Sequence, residues 1–357
     1  MLNKNIWKDK IVLITGHTGF KGSWLSIWLK MLGAEVIGYA LEPYTDRDNF
    51  VLTKLEDKIT HIIGDVRDYQ QLHDVLGKFK PEFAFHLASQ PIVRESYINP
   101  KETFDVNIGG TVNLLECCRI TKSIKIIVNI TTDKCYENKE WIWGHRENDR
   151  LGGYDPYSSS KVGSEVITSA YRQSFFNPEK VSEHGKNIAS VRAGNVIGGG
   201  DWQTDRLMPD CIASLEQKEP VIIRNPSAVR PWQHVLEPLS GYLLLAEKMY
   251  QNPGQYCEAW NFGPKEGNIK SVGEIADFVI QNWGNGSWQG QSEKNAPHET
   301  NILKLDISKA RTRLSWNPAL SIEQAVTATV DWYKSYKEKD MYRFCEQQIK
   351  YYMSEYF

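Results

Sequence analysis

The segment IVLITGHTGFKGSW, residues 11–24, limits the fold of this chain more than any other. A short apolar run passes through Gly16, Gly19 and Gly22 into the helix-length stretch GSWLSIWLKMLG. A chain that leaves a buried strand and starts a helix within a few residues must turn sharply and let its backbone come close to neighbours. Glycine allows both. The first turn of the helix then offers unpaired N–H groups and a partial positive charge, the environment that a pyrophosphate needs. Further apolar runs follow in alternation with amphipathic segments: EVIGYAL, ITHIIGDV, FAFHLA and IKIIVNIT. Near-continuous apolar strands separated by helix-length connections predict a parallel sheet covered on both faces, a doubly wound α/β fold.

After NIASVRAGNVIGGGDW the pattern loosens and glycines and prolines accumulate. At 357 residues the chain exceeds one ordinary core, so a second, smaller α/β domain is expected from about residue 195. The strand-like EAWNFG and the stretch HVLEPLSGYLLLAEKMY read as returns to the first domain. The resulting division is 1–194, with returns near 230–264, for a Rossmann-type dinucleotide-binding domain, and 195–229 with 265–357 mainly for substrate. GNGSWQGQSEKNAP, 284–297, reads as a polar loop, and the aromatic C-terminal YRFCEQQIKYYMSEYF as a packing helix.

A formal net charge of −2 argues against a nucleic-acid or membrane-surface binder. The chain has no apolar run of about 18 residues, and MLNKNIWKDK lacks a hydrophobic signal segment, so a cytoplasmic protein is expected. Six scattered cysteines, without a CxxC pair, read as buried thiols, and the absence of ligand spacing predicts no metal.

Candidate cofactor contacts are Gly16, Thr18, Gly19, Phe20 and Gly22 of the turn, Asp65 and Val66 in GDVRD, and Leu87, Ala88 and Ser89 in HLASQP. The last two groups follow later strands, where ligands of open α/β sheets gather. EVIGYAL ends without a carboxylate for a ribose hydroxyl. Glu42 and Arg47 come late, and NAD is favoured over NADP. In PYSSSKVGSE, Tyr157 and Lys161 stand one helical turn apart, so an ammonium can stabilise a phenolate below its usual pKa of about 10. TTDKCY puts Asp133 and Lys134 together immediately after a buried strand.

With TGHTGFKG, GDVRD, HLASQP, NIGGTVNLLE, TTDKCY, YSSSK, VRAGNVIGGGDW and RPWQHV in this order, the sequence resembles the extended short-chain dehydrogenase/reductase family, and within it the nucleotide-sugar 4,6-dehydratases. Asp-Lys after the threonine, together with RPWQHVLEPLSGYL, is similar to the CDP-sugar branch; TDP- and GDP-sugar relatives usually carry Asp-Glu there. The resemblance implies NAD as cofactor, CDP-D-glucose as substrate, and a hydro-lyase reaction: oxidation at C4, loss of water across C5 and C6, and reduction at C6. The product is a 4-keto-6-deoxy sugar for bacterial surface polysaccharide such as O-antigen.

On that resemblance Tyr157 is the first base, Lys161 supports it, and Thr132 bonds the 4-oxygen. Asn107 and Thr131 join the cofactor contacts, and Gln90, Arg94, Asn195, Arg206 and Arg230 hold the nucleotide sugar. Arginine suits a diphosphate because its planar fork binds two oxygens at once. Elimination needs an acid and a base. A buried, protonated Asp133 fits the acid. Lys134 as base must be neutral, which costs roughly 4–5 kcal/mol if its pKa moves from about 10.4 to near 7; the reverse assignment, Asp133 as base and Lys134 charged, stays open. Trp202 and Trp232 are base-pocket walls or core, and His17 and His234 are support. The resemblance also implies a homodimer, or a tetramer, through helices beginning near Thr103 and Tyr157. The rival readings are a 4-epimerase of the same fold, which needs no acid and base for losing water, and a non-catalytic dinucleotide sensor, which has no use for Tyr157 and Lys161.

Overall fold

The structure is a computed structural model and describes residues 2–291 and 302–356. Its strands, among the described residues, are β1 (Ile11–Thr15), β2 (Glu35–Ala40), β3 (Thr60–Ile63), β4 (Phe83–His86), β5 (Ile126–Ile130), β6 (Asn187–Ala193), β7 (Val196–Ile197), β8 (Val221–Ile223), β9 (Val229–Pro231), β10 (Gln233–His234), β11 (Ala259–Phe262), β12 (Ile269–Ser271) and β13 (Trp288–Gly290). Seven form one sheet in the order β11-β6-β5-β4-β1-β2-β3, with every neighbouring pair parallel. Chain order reverses between β1 and β4, so the loops after these two strands diverge and open a crevice at their C-terminal ends.

Two apolar cores cover the sheet. Val12, Ile14, Phe83, Phe85, Ile126 and Val128 belong to one, and the intervening Leu13, Ala84 and Ile127 to the other. This alternation is why the strands read as continuous apolar runs: both faces are dry. The helix Phe20–Met31 is buried nearly all round, with Trp28 edge-on to Tyr352 of the C-terminal helix Met341–Tyr356. That helix therefore packs on the dinucleotide side of the fold, although it belongs to the span 265–357. The joining contact is aromatic, and no periodicity of either helix alone identifies its partner.

β11 reaches the sheet edge beside β6 after an excursion of 65 residues, 194–258, that builds part of the opposite wall of the crevice. Within the expected polar loop 284–297, Trp288–Gly290 is a strand paired with β8, tied by the Trp288 indole donating to Asp277, 2.7 Å. Residues 292–297 of it lie outside the described residues. All six cysteines are unpaired and buried. No helix among the described residues is long and apolar enough to cross a membrane.

The glycine turn sits behind two close approaches. Gly16 has φ +77°, and a Cβ there would lie 2.6 Å from the backbone N of Ala88; one on Gly22 would lie 2.1 Å from the carbonyl oxygen of Gly16. A third close approach was not legible: a Cβ on Gly38 of β2 would lie 2.3 Å from the His17 ring. His17 cannot readily retreat, because its Nε2 is 2.6 Å from Nδ1 of His61 and its ring abuts Phe50. Gly38→Ala is accordingly expected to lower unfolding free energy by about 1–3 kcal/mol, read by denaturant titration. An unchanged midpoint would mean that the histidine pair yields.

Candidate active site

The crevice is a cleft of about 1200 Å³. Its floor carries Gly16, Thr18, Gly19, Phe20 and Gly22, its first side Asp65, Val66, Leu87, Ala88 and Ser89, and its centre Thr131, Thr132, Asp133, Lys134, Tyr157 and Lys161. Arg94, Asn195, Arg206, Arg230 and Trp232 also line it. Gly19 caps the helix Phe20–Met31 without a side-chain acceptor, so the first-turn amides are left for a ligand.

Two expected contacts are not on the wall. Asn107 lies in a widened turn at Asp105–Gly109, where its carboxamide accepts from the Gln90 backbone N, 2.8 Å, and donates to the Gln90 carbonyl, 3.0 Å, and to Ser160 Oγ, 2.8 Å. Gln90 donates in turn to Thr103 Oγ1, 2.8 Å. Both amides are fully occupied in holding the loop after β4 against the helix Pro156–Ser174, so they act behind the cleft. Trp202 is likewise off the wall: it packs edge-on to Tyr333, and the Arg47 guanidinium lies over it at 4.0 Å. His17 and His234 are buried away from the cleft.

The helix Pro156–Ser174 begins where it must. Asp155 accepts from Ser158 N at 2.8 Å, and Pro156 takes the first helical position. Tyr157, Lys161, Ser164, Glu165 and Thr168 then fall on one face, which is buried although polar. Its partners are supplied by neighbours: Ser164 accepts from Asn129 at 2.9 Å, and Glu165 takes Thr131 Oγ1 at 2.5 Å, Ser190 Oγ at 2.7 Å and Arg192 at 2.8 and 3.0 Å. Arg192 also donates to the Tyr136 hydroxyl, 2.7 Å. The ion pair thus ties the Tyr157 helix to the strand end that carries Thr132, Asp133 and Lys134.

At that strand end, Thr132 accepts from Lys134 N at 3.3 Å and donates to Asp133 Oδ1 at 3.1 Å. Asp133 is 2% exposed, and its Oδ2 has no hydrogen-bond partner among the described residues. Burial pushes its pKa up, with Lys134, Thr132, Arg230 and Lys21 opposing. Tyr157 is pushed up to about 12, by burial first; the Thr132 hydroxyl and Arg206 pull against that. Lys161 is drawn down to about 7 by burial and by Lys21, and it donates to the Ile130 carbonyl at 3.4 Å. The expected lowering of the phenol by a cationic Lys161 is therefore not built into the protein alone: burial draws the lysine down as it pushes the phenol up.

Sequence reasoning missed Lys21 and Glu165. Lys21 lines the cleft with its pKa drawn to about 8, chiefly by burial and by Arg206. Its signal was a cation inside the glycine turn. For Glu165 it was a third member of the Tyr157, Lys161 spacing.

Comparison with known proteins bears on this site. The family model described as GDP-mannose 4,6 dehydratase matches residues 13–329. The chain belongs to this family. A relative from Salmonella typhimurium, CDP-glucose 4,6-dehydratase, is 50% identical over 99% of both chains. CDP-paratose 2-epimerase of Salmonella typhi is 25% identical over 91% of this chain and 99% of its own. Among solved structures, UDP-glucose 4-epimerase of Thermotoga maritima has a TM-score of 0.76 at 22% identity, over 92% of this chain and 100% of that one. A Bacillus anthracis dTDP-glucose 4,6-dehydratase, in complex with NAD, gives 0.75 at 21%, over 94% and 99%. At such identities these structures establish the shared fold, a Rossmann-type doubly wound sheet.

Breaking the ion pair tests its part in the site. Glu165→Gln leaves Arg192 charged and buried, and unfolding free energy at neutral pH should fall by about 3–5 kcal/mol. The Glu165 pKa lies below its ordinary 4.5: burial raises it, and Arg192 with the hydroxyls of Thr131 and Ser190 outweighs that. Its contribution is therefore complete above about pH 4.5 and lost only as pH falls through the depressed value. The gap between wild type and variant should persist down to about pH 4.5 and close below it; a gap that closes nearer neutrality would show Glu165 to be uncharged in the fold.

Proposed function

We propose that this protein is an NAD-dependent hydro-lyase that converts CDP-D-glucose to CDP-4-keto-6-deoxy-D-glucose. The observation that carries the reading is the convergence of Thr132, Asp133, Lys134, Tyr157 and Lys161 on one cleft in a chain half identical to a CDP-glucose 4,6-dehydratase. Acid and base beside the Tyr157 pair are superfluous for a 4-epimerase, and a non-catalytic sensor needs neither.

The residues present fit NAD. The uncapped first turn after Gly19 would receive the pyrophosphate, Val66, Leu87 and Ala88, which line the cleft, would wall the adenosine, and Lys161 would hold the nicotinamide ribose. The end of β2 offers Ala40 and Leu41, with Asp65 nearby held ionised by Arg67, while Arg47 is committed to Trp202 and Glu216. Among the described residues there, an extra 2′-phosphate would face a carboxylate, with Arg67 and Arg47 already engaged, which supports NAD over NADP. When bound, NAD would supply the acceptor and later the donor of the hydride, and a positive charge on its oxidised ring.

With the positive charge of the bound cofactor and a charged Lys161 favouring the phenolate, Tyr157 would take the proton of the sugar 4-OH, and Thr132, bonded to the same phenol, would fix the 4-oxygen. Once C4 is a ketone the C5 hydrogen is acidic enough for a modest base. Asp133, with a raised pKa and an unsatisfied buried oxygen, protonates the departing 6-OH; Lys134, partly exposed to the cleft, takes the C5 proton. Arg206 and Arg230 hold the diphosphate, with Arg206 leaving Asp201, to which it donates at 2.7 Å. In this reading residues 1–194 with the returns near 230–264 bind NAD, and 195–229 with 265–357 mainly bind the sugar nucleotide. The exposed Ile98, Val166 and Phe175 beside the Tyr157 helix support a homodimer there, in the cytoplasm, serving deoxysugar synthesis for surface polysaccharide.

Incubation with CDP-glucose and NAD decides between the readings. A keto-deoxy product carrying solvent hydrogen at C5 is expected, and a CDP-galactose product would establish the epimerase instead. Asp133→Asn should lower turnover about 10²–10⁴-fold with NAD retained. Full turnover in that variant would remove Asp133 from the elimination.

A further inference from the structure

The far end of the cleft, beyond Arg206 and Arg230, is closed by two elements. On one side the helix Leu207–Gln217 presents Leu207, Asp210, Ala213 and Ser214, the i, i+3, i+6 and i+7 positions of one face. On the other, Ile222 and Ile223 of β8 run into Arg224 and Asn225. Leu207, Pro209, Ile222 and Ile223 give these walls apolar surface, and Asp210, Ser214, Arg224 and Asn225 give them polar groups, a combination suited to a flat heteroaromatic ring. Among those polar groups Asp210 is a carboxylate beside Arg224, whose guanidinium also donates to Asp205 at 2.7 Å.

We propose that Asp210 reads the nucleobase of the sugar nucleotide by accepting a hydrogen bond from the exocyclic 4-amino group of cytosine. This rests on the CDP-glucose reading and specifies which side chain enforces it. Cytosine presents an N–H donor at position 4, whereas uracil and thymine present a carbonyl acceptor there. A carboxylate accepts from the first and is repelled by the second. Burial, partly offset by Arg224, pushes Asp210 up to about 6, so it is ionised at pH 8, where the contrast is greatest. One backbone N–H, that of Asp205, already bonds the carboxylate, and its two oxygens retain room for another donor.

The test compares kcat/KM for CDP-glucose and UDP-glucose at pH 8 in the NAD-loaded protein. Asp210→Asn replaces one acceptor oxygen by a donor that suits a 4-carbonyl. CDP-glucose should lose roughly ten- to a hundredfold and UDP-glucose should gain, reversing or abolishing the preference. In Asp210→Ala the preference should shrink without any gain for UDP-glucose. Inhibition by CDP and by UDP, measured in both variants, reads the same ratio where turnover is too slow. A CDP-to-UDP preference unchanged in both variants overturns the assignment of Asp210 while leaving the dehydratase reading in place. A wild-type protein that ignores CDP-glucose overturns that reading instead.

Discussion

The buried pair of Glu165 and Arg192 is the constraint on which the site depends. It lies one turn beyond Lys161 on the helix and one strand beyond Thr131, and it takes up the donors of β6 and the strand end together. Two charges in a dry interior hold only one arrangement well, because any slip leaves a charge unpaired. The helix cannot rotate without breaking Thr131, and the strand end cannot shift without freeing Arg192. Tyr136 extends the tie: its hydroxyl, bonded to Arg192, donates to Asn261 of β11, so the sheet edge shares the same network.

This tie explains why a helix face made of hydroxyls, a carboxylate and an amine can be interior. Each group on it meets a complementary group from β5, the residues just after it, β6 or the helix Gly110–Ile120, including Thr111, whose hydroxyl is 2.9 Å from that of Ser164. The polar zipper needs exact partners where an apolar face would tolerate slippage. It also leaves the titratable groups unusually placed, with the phenol of Tyr157 pushed up and the amine of Lys161 drawn down. Both shifts have the same origin, since burial disfavours whichever form carries charge.

The parts of this architecture that were legible from the amino-acid order are those whose signal is local. Five apolar runs and a glycine turn specify the parallel sheet, since strand, turn and helix lie within a few residues of one another. Tyr157 and Lys161 share a face by spacing alone, and Asp133 and Lys134 reach the cleft because the loop that ends a central strand opens there. What depends on partners distant in the chain was not legible. Asn107 and Gln90 look like ligand contacts until each is seen to satisfy the other. Trp202 and Trp232 are equivalent in sequence, yet one is covered by Arg47 and Tyr333 and the other borders the cleft, its indole donating to the Lys270 carbonyl. The role of Glu165 needed Arg192, 27 residues on, to be recognised.

The late arrival of β11 bears on how the molecule is made. During synthesis β6 emerges long before its outer neighbour, so its open rim stays available to other chains while 65 intervening residues are added. At typical elongation rates of roughly 5–20 residues per second, that window lasts several seconds. Asn261, which receives the Tyr136 hydroxyl, arrives on the same strand. The nascent chain therefore cannot complete the scaffold behind its reactive groups until residues 194–258, which supply part of the wall that faces them, have been made.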